Sequence, residues 1–119
     1  MGVTYANVIV RNPADREQEW RGRFLVGTGA IDSLVPRPWL ELIGLEPLGT
    51  QVYDLADGTE VTFDFAVAEF EIMGKVVGAT VDFGESRADP LLGATVLESA
   101  CVHVDPFNGE LKRLPSSRL

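Results

Sequence analysis

The sequence predicts an all-β domain, a small closed barrel with one or two short helices, and two observations carry that prediction. Short runs rich in apolar and β-branched residues recur along the chain, among them Val3 to Val10, Phe24-Leu25-Val26 and Val76 to Phe83. The segments between such runs carry turn chemistry: Asn12-Pro13-Ala14-Asp15, Ala56-Asp57-Gly58, Met73-Gly74-Lys75 and Pro106-Phe107-Asn108-Gly109. Helical spacing shows only near 38–43 and 94–99, in stretches too short for a helical fold.

The 119 residues are read as one domain, 1–119, large enough to bury a core without a disulfide or a metal. Apolar residues make up 45% and charged residues 24%, which places the chain with ordinary globular proteins. Asp and Glu outnumber Lys and Arg by 18 to 10, a net charge of −8 that repels phosphate backbones and anionic membranes. Nucleic acid and membrane are therefore not expected as partners. The N-terminus lacks the basic-then-apolar order of a secretory leader, so the expected location is the cytoplasm. Cys101 is the only cysteine and His103 the only histidine. With apolar Ala100 and Val102 beside it, Cys101 reads as a buried thiol, and His103 as a strand side chain. Neither a metal site nor a cofactor site is expected.

Taken in order, Val3 to Val10 is a first strand, with Val8-Ile9-Val10 buried on both faces. Beyond the Asn-Pro turn, the polar stretch Arg16 to Arg23 alternates well enough with Trp20 and Phe24 for a strand with one wet face. Pro36 to Leu45 is a short helix: proline at its start, Trp39, Leu42 and Ile43 on one side, Gly44 as its stop. Thr50 to Leu55 and Thr59 to Phe65 form a hairpin through Ala56-Asp57-Gly58, since Asp and Gly both tolerate positive φ. Ala66 to Ile72 and Val76 to Phe83 form a second pair, followed by the polar loop Gly84 to Pro90. Leu91-Leu92-Gly93 leads into the helix at 94–99, Ala100 to Val104 is a further strand, and Leu111 to Leu114 the last; Pro115 onward is a loose polar tail.

The centre of the chain is Phe24-Leu25-Val26-Gly27-Thr28-Gly29-Ala30-Ile31-Asp32-Ser33-Leu34-Val35-Pro36, two apolar runs around a loop of small residues. This segment resembles the active-site loop of the retropepsin-like aspartic proteases, whose pattern is an apolar run, Asp-Thr-Gly-Ala, two variable residues, Ser or Thr, and a second apolar run. The resemblance extends over nearly the whole chain and is greatest to single-lobe, bacterial-type members with an Ala-Asp-Gly turn in the flap. It is most specific from Val26 to Val35. Gly27 departs from the pattern, standing where the family has its catalytic aspartate.

The resemblance implies a homodimer acting on a peptide or protein substrate. Each subunit of such an enzyme supplies one Asp, and the two carboxylates share a proton across a twofold axis to activate water. Gly27 therefore removes both carboxylates together. Thr28 is expected to brace the two loops across the axis, and Gly29 to admit peptide backbone closely. Ala30, Asp32 and Ser33 would line the groove, with Ala56, Asp57 and Gly58 as the flap tip over it and Leu91, Leu92 and Gly93 as its floor. Asp32, five residues beyond position 27, reads as a rim or loop-capping residue rather than a replacement catalyst. Two explanations of Gly27 follow: an inactive variant of a working aspartic endopeptidase, or a non-catalytic peptide-binding or dimerisation module on the same fold. The match of loop, hairpin and Leu-Leu-Gly favours the first.

Overall fold

A computed structural model describes residues 3–115. The apolar runs become β1 (Tyr5–Asn12), β2 (Asp15–Val26), β3 (Ser33–Pro36), β4 (Gly49–Asp54), β5 (Glu60–Ile72), β6 (Lys75–Gly84), β7 (Leu91–Leu92), β8 (Val102–Asp105) and β9 (Glu110–Arg113). Two short helices, α1 (Arg37–Leu42) and α2 (Ala94–Ser99), complete the fold. β1 pairs antiparallel with β2 on one edge and with β5 on the other, at Ile9–Glu71, Val10–Phe70 and Arg11–Glu69. From β2 the pairing runs on through β7, β3 and β6 back to β5, so the sheet closes into a ring to which β4 adds a further strand. β8 and β9 form a separate two-stranded sheet.

Alternation decides what the ring encloses. Val8 and Val10 of β1, Phe24 of β2, Ala68 and Phe70 of β5, and Val81 of β6 all point inward and are buried. α1 closes one side by burying Leu40, and Trp39 lies stacked on Trp20 at 5.6 Å between ring centroids. The helix stops at Gly44, whose φ of +83° suits glycine, and the Asn12 side-chain amide donates to the Ile43 carbonyl at 3.0 Å. α2 buries Val96 and Leu97.

Three sequence expectations are corrected. The runs at 59–65 and 66–72 are one continuous strand, β5: its N-terminal part pairs with β4 and its C-terminal part with β1, so nothing interrupts it at Ala66. The strand expected from Ala100 begins at Val102, because Ala100 is the C-cap of α2 and Cys101 takes a left-handed φ of +58°. Cys101 is in consequence half-buried rather than buried. The tail expected beyond Pro115 lies outside the described residues.

Candidate functional site

The loop after β2 is held by the segment around β7. The β7 strand lies between β2 and β3, parallel to the first and antiparallel to the second. The Leu25 amide donates to the Pro90 carbonyl at 2.9 Å and the Gly27 amide to the Leu92 carbonyl at 2.9 Å. Beyond the turn, the Ala94 and Thr95 amides donate back to the carbonyls of Ala30 and Ile31 at 2.8 and 3.1 Å. The Gly93 amide donates to Ser33 Oγ at 2.9 Å. Gly93 has to be glycine for a steric reason: a Cβ there would stand 2.5 Å from the Asp32 carbonyl carbon and 2.7 Å from the Ile31 oxygen. These are backbone atoms already fixed by the bonds above, so they have nowhere to go.

Gly27 presents a different case. Its backbone is outside the left-handed region, so any residue could adopt it. A Cβ there would meet only one side chain, Leu91, with Cδ1 at 2.6 Å and Cγ at 3.3 Å. The leucine methyl covers the place from which a side chain at 27 would grow. Thr28 and Gly29 are exposed, and the space around Gly29 is open.

A cavity of about 520 Å³ lies between this loop and the β4–β5 hairpin. Gly29, Ala30, Ile31, Asp32 and Leu91 line one side, and Tyr53, Leu55, Val61 and Phe63 of the hairpin line the other, with Asp82 of β6 also in its wall. Most of the lining is apolar, but three acidic residues, Asp32, Asp54 and Asp82, also line it, and two of them, Asp32 and Asp82, stand around one phenol. The Tyr53 hydroxyl donates to Asp32 Oδ2 at 2.7 Å and lies 3.3 Å from Gln51 Oε1. Asp82 is 5% exposed, and its Oδ1 is buried with no hydrogen-bond partner among the described residues. Burial pushes the Asp82 carboxyl up to about 6; the Tyr53 hydrogen bond opposes the shift and the Asp32 charge adds to it. Burial, then the bonds to the carboxylates, hold the Tyr53 hydroxyl far above its ordinary range.

The structure thus brings Gly29, Ala30, Asp32 and Leu91 to one cavity. Ser33, Leu92 and Gly93, expected to line the groove, are buried beneath it and fix the loop from below. Ala56, Asp57 and Gly58 form the exposed tip of the hairpin and do not line the cavity; its walls come from the strands on either side of them. Asp32, read from the sequence as a rim or loop-capping residue, lines the cavity and engages the hairpin through Tyr53. Sequence reasoning missed Tyr53 and Asp82. For Asp82 a signal was present, a carboxylate between Val81 and Phe83 in an otherwise apolar strand.

Solved structures similar to this chain include the Simian Foamy Virus (mac) protease in solution, at a TM-score of 0.56 and 19% sequence identity, with 79% of this chain and 91% of that one covered. The foamy viral protease-reverse transcriptase in complex with an RNA/DNA hybrid matches at a TM-score of 0.56 and 17% identity, over 80% of this chain and 11% of that one. No protein-family model and no curated protein matches the sequence. At these identities the likeness concerns the fold, and the fold of this chain is retropepsin-like.

Proposed function

We propose that this chain is a homodimeric protein of the aspartic-endopeptidase type that holds an extended peptide beneath the β4–β5 hairpin and, with glycine at position 27, does not cleave it. The observation that carries the reading is the pairing of Gly27 with Leu91. The loop keeps the backbone frame that positions a catalytic residue, but the residue there has no ionisable group, and an apolar methyl covers its Cα. Hydrolysis by this mechanism needs one carboxylate to take a proton from water and a second to donate one to the scissile carbonyl. A twofold dimer of this chain would place two glycines at its axis, and water there would have neither partner. Binding needs less: an open cavity with apolar walls, a hairpin edge along which a peptide can add as a strand, and exposed loop backbone at Thr28 and Gly29.

The test separates binding from cleavage. A labelled peptide library and a statine-containing peptide are offered to the chain and to Gly27→Asp, with association read by anisotropy and hydrolysis by mass spectrometry from pH 4 to 8. The expected result is binding by both forms and cleavage by Gly27→Asp alone, strongest in mild acid, where two carboxylates share one proton. Binding by both without cleavage by a folded Gly27→Asp dimer would identify a dedicated binding module. Cleavage by the glycine form at the rate of the aspartate form would overturn the reading. So would a strict 12.9 kDa monomer at high concentration, because half a groove would remain.

A further inference from the structure

The cavity is short of hydrogen-bond donors. Around the single Tyr53 hydroxyl stand three acceptors: Asp32 Oδ2, Gln51 Oε1 and the Asp82 carboxylate. One O–H proton can serve them only one at a time. Asp82 is 5% exposed, and its Oδ1 has no partner among the described residues. Among the described residues, no Lys, Arg or His lines the cavity. Arg37, on the far side of β6, is held by Asp64 at 2.5 Å and stacks on Phe83, so it does not supply the missing charge. A buried acceptor left without a donor is destabilising, more so when charged, and in a native protein its persistence calls for an explanation.

We propose that this cavity takes the cationic side chain of a bound peptide, a lysine or arginine, with its aliphatic stem along Phe63 and Leu91 and its charged head between Asp32 and Asp82. The assignment rests on the peptide-binding reading above and adds to it the class of side chain recognised. Shape and chemistry agree on a long, flexible cation. Its methylenes match the apolar walls. Its several N–H donors supply what one phenol cannot, and charge-assisted bonds to carboxylates are about twice as strong as neutral ones. A bare metal ion fits less well, since no group of three or more His, Cys, Asp or Glu among the described residues converges on one point. The Tyr53 hydroxyl, already bonded to Asp32, would orient that carboxylate toward the incoming head group.

The probe is a set of fluorescein-labelled octapeptides with an alanine-valine frame, carrying Lys, Arg, norleucine or Glu at each position in turn, titrated against the intact chain by anisotropy. At one position Lys or Arg is expected to bind at least about tenfold tighter than norleucine, and Glu to weaken binding further. In Asp82→Asn that preference, read as the ratio of Lys or Arg to norleucine affinity, should fall to about twofold or less; Asp32→Asn should reduce it in the same direction. The unaltered chain already tests the idea without any variant. Equal binding of the Lys, Arg and norleucine series overturns the cation assignment and leaves peptide binding standing. Absence of binding by every peptide overturns both. A Lys preference that survives in folded Asp82→Asn and Asp32→Asn would place the recognising group elsewhere and equally overturn the assignment.

Discussion

The floor and the roof of the cavity are built by opposite means. The floor, from Gly27 to Ser33 and Leu91 to Thr95, is fixed by backbone hydrogen bonds in both directions, by the buried Ser33 hydroxyl, and by a glycine packed directly on the neighbouring backbone. The roof, from Gly49 to Val61, is held mainly by its own hairpin pairing and a local turn, and every residue from Asp54 to Glu60 is exposed. In the turn the Gly58 amide donates to the Leu55 carbonyl at 3.0 Å and the Leu55 amide to the Thr59 carbonyl at 2.8 Å. Tyr53 is the side chain that ties roof to floor through Asp32. The contrast teaches that the scaffold invests its rigidity around Gly27 and Gly93, and leaves the hairpin above the cavity to its own pairing and the Tyr53–Asp32 bond.

Replacing Gly27 by Asp is the largest expected effect, because it changes chemistry and leaves the frame alone. Peptide hydrolysis should rise from background by on the order of 10³-fold or more, the scale of removing or supplying an acid–base pair that acts as a unit. Leu91 must move to admit the new side chain, a shift of one side chain and not of backbone. On the stability side, Gly93→Ala should be the most damaging glycine substitution, at about 3 kcal/mol in urea unfolding, because the new Cβ meets fixed backbone. Gly27→Ala, meeting only the Leu91 side chain, should cost under about 1 kcal/mol. Should the two prove equal, the idea of a floor locked at Gly93 and merely covered at Gly27 fails.

Asp82→Asn is expected to stabilise the chain, and by a pH-dependent amount. The folded carboxyl titrates at about 6 against 3.8 in the unfolded chain, so the native state holds its proton longer and ionisation favours unfolding. The groups facing it are Tyr53 and Asp32. The penalty is absent below pH 4, grows between 4 and 6, and is complete above 6. The variant should therefore gain about 3 kcal/mol at most over the parent at pH 8 and nothing at pH 3.5, measured by urea unfolding across pH. A gain independent of pH would show that the carboxylate is solvated in place. Gly58→Ala comes next, at about 1 kcal/mol: space there is open, but φ is +87°.

What the sequence disclosed divides along the same line. Strand positions, both helices, the stop at Gly44 and the approach of Leu91-Leu92-Gly93 to the central loop were legible, because periodicity and small-residue turns are local and the loop has a distinctive order. The floor's depth was not. Whether Ser33 and Leu92 face a ligand or lie under it depends on β7 slipping between β2 and β3, a long-range pairing that no window of sequence contains. The Asp32–Tyr53–Asp82 group was hidden for the same reason, its members coming from a loop, a hairpin and a distant strand. The Ala-Asp-Gly turn was read from both residues tolerating positive φ, and only Gly58 uses it; Asp57 contributes through its side chain instead.

That side chain gives the smallest expected effect and the sharpest test of an independent roof. Asp57 Oδ1 accepts from the Thr59 amide at 2.9 Å and from the Thr59 hydroxyl at 2.6 Å, entirely at the exposed tip. These bonds hold the carboxyl below its ordinary range, the hydroxyl contributing most. Asp57→Ala removes them without touching the ring of strands, so global unfolding should be unchanged within error. Native-state hydrogen exchange should nonetheless speed up at the Thr59 and Leu55 amides and stay as before at Gly27 and Gly93, since a local opening at the hairpin tip need not involve the barrel. Bringing the parent below the pH at which Asp57 protonates should reproduce the Thr59 effect, because a neutral carboxyl is the weaker acceptor. Acceleration that spread from Thr59 to the Gly27 and Gly93 amides would mean that roof and floor open together, and the hairpin could then no longer be treated as a cover moving over a fixed site.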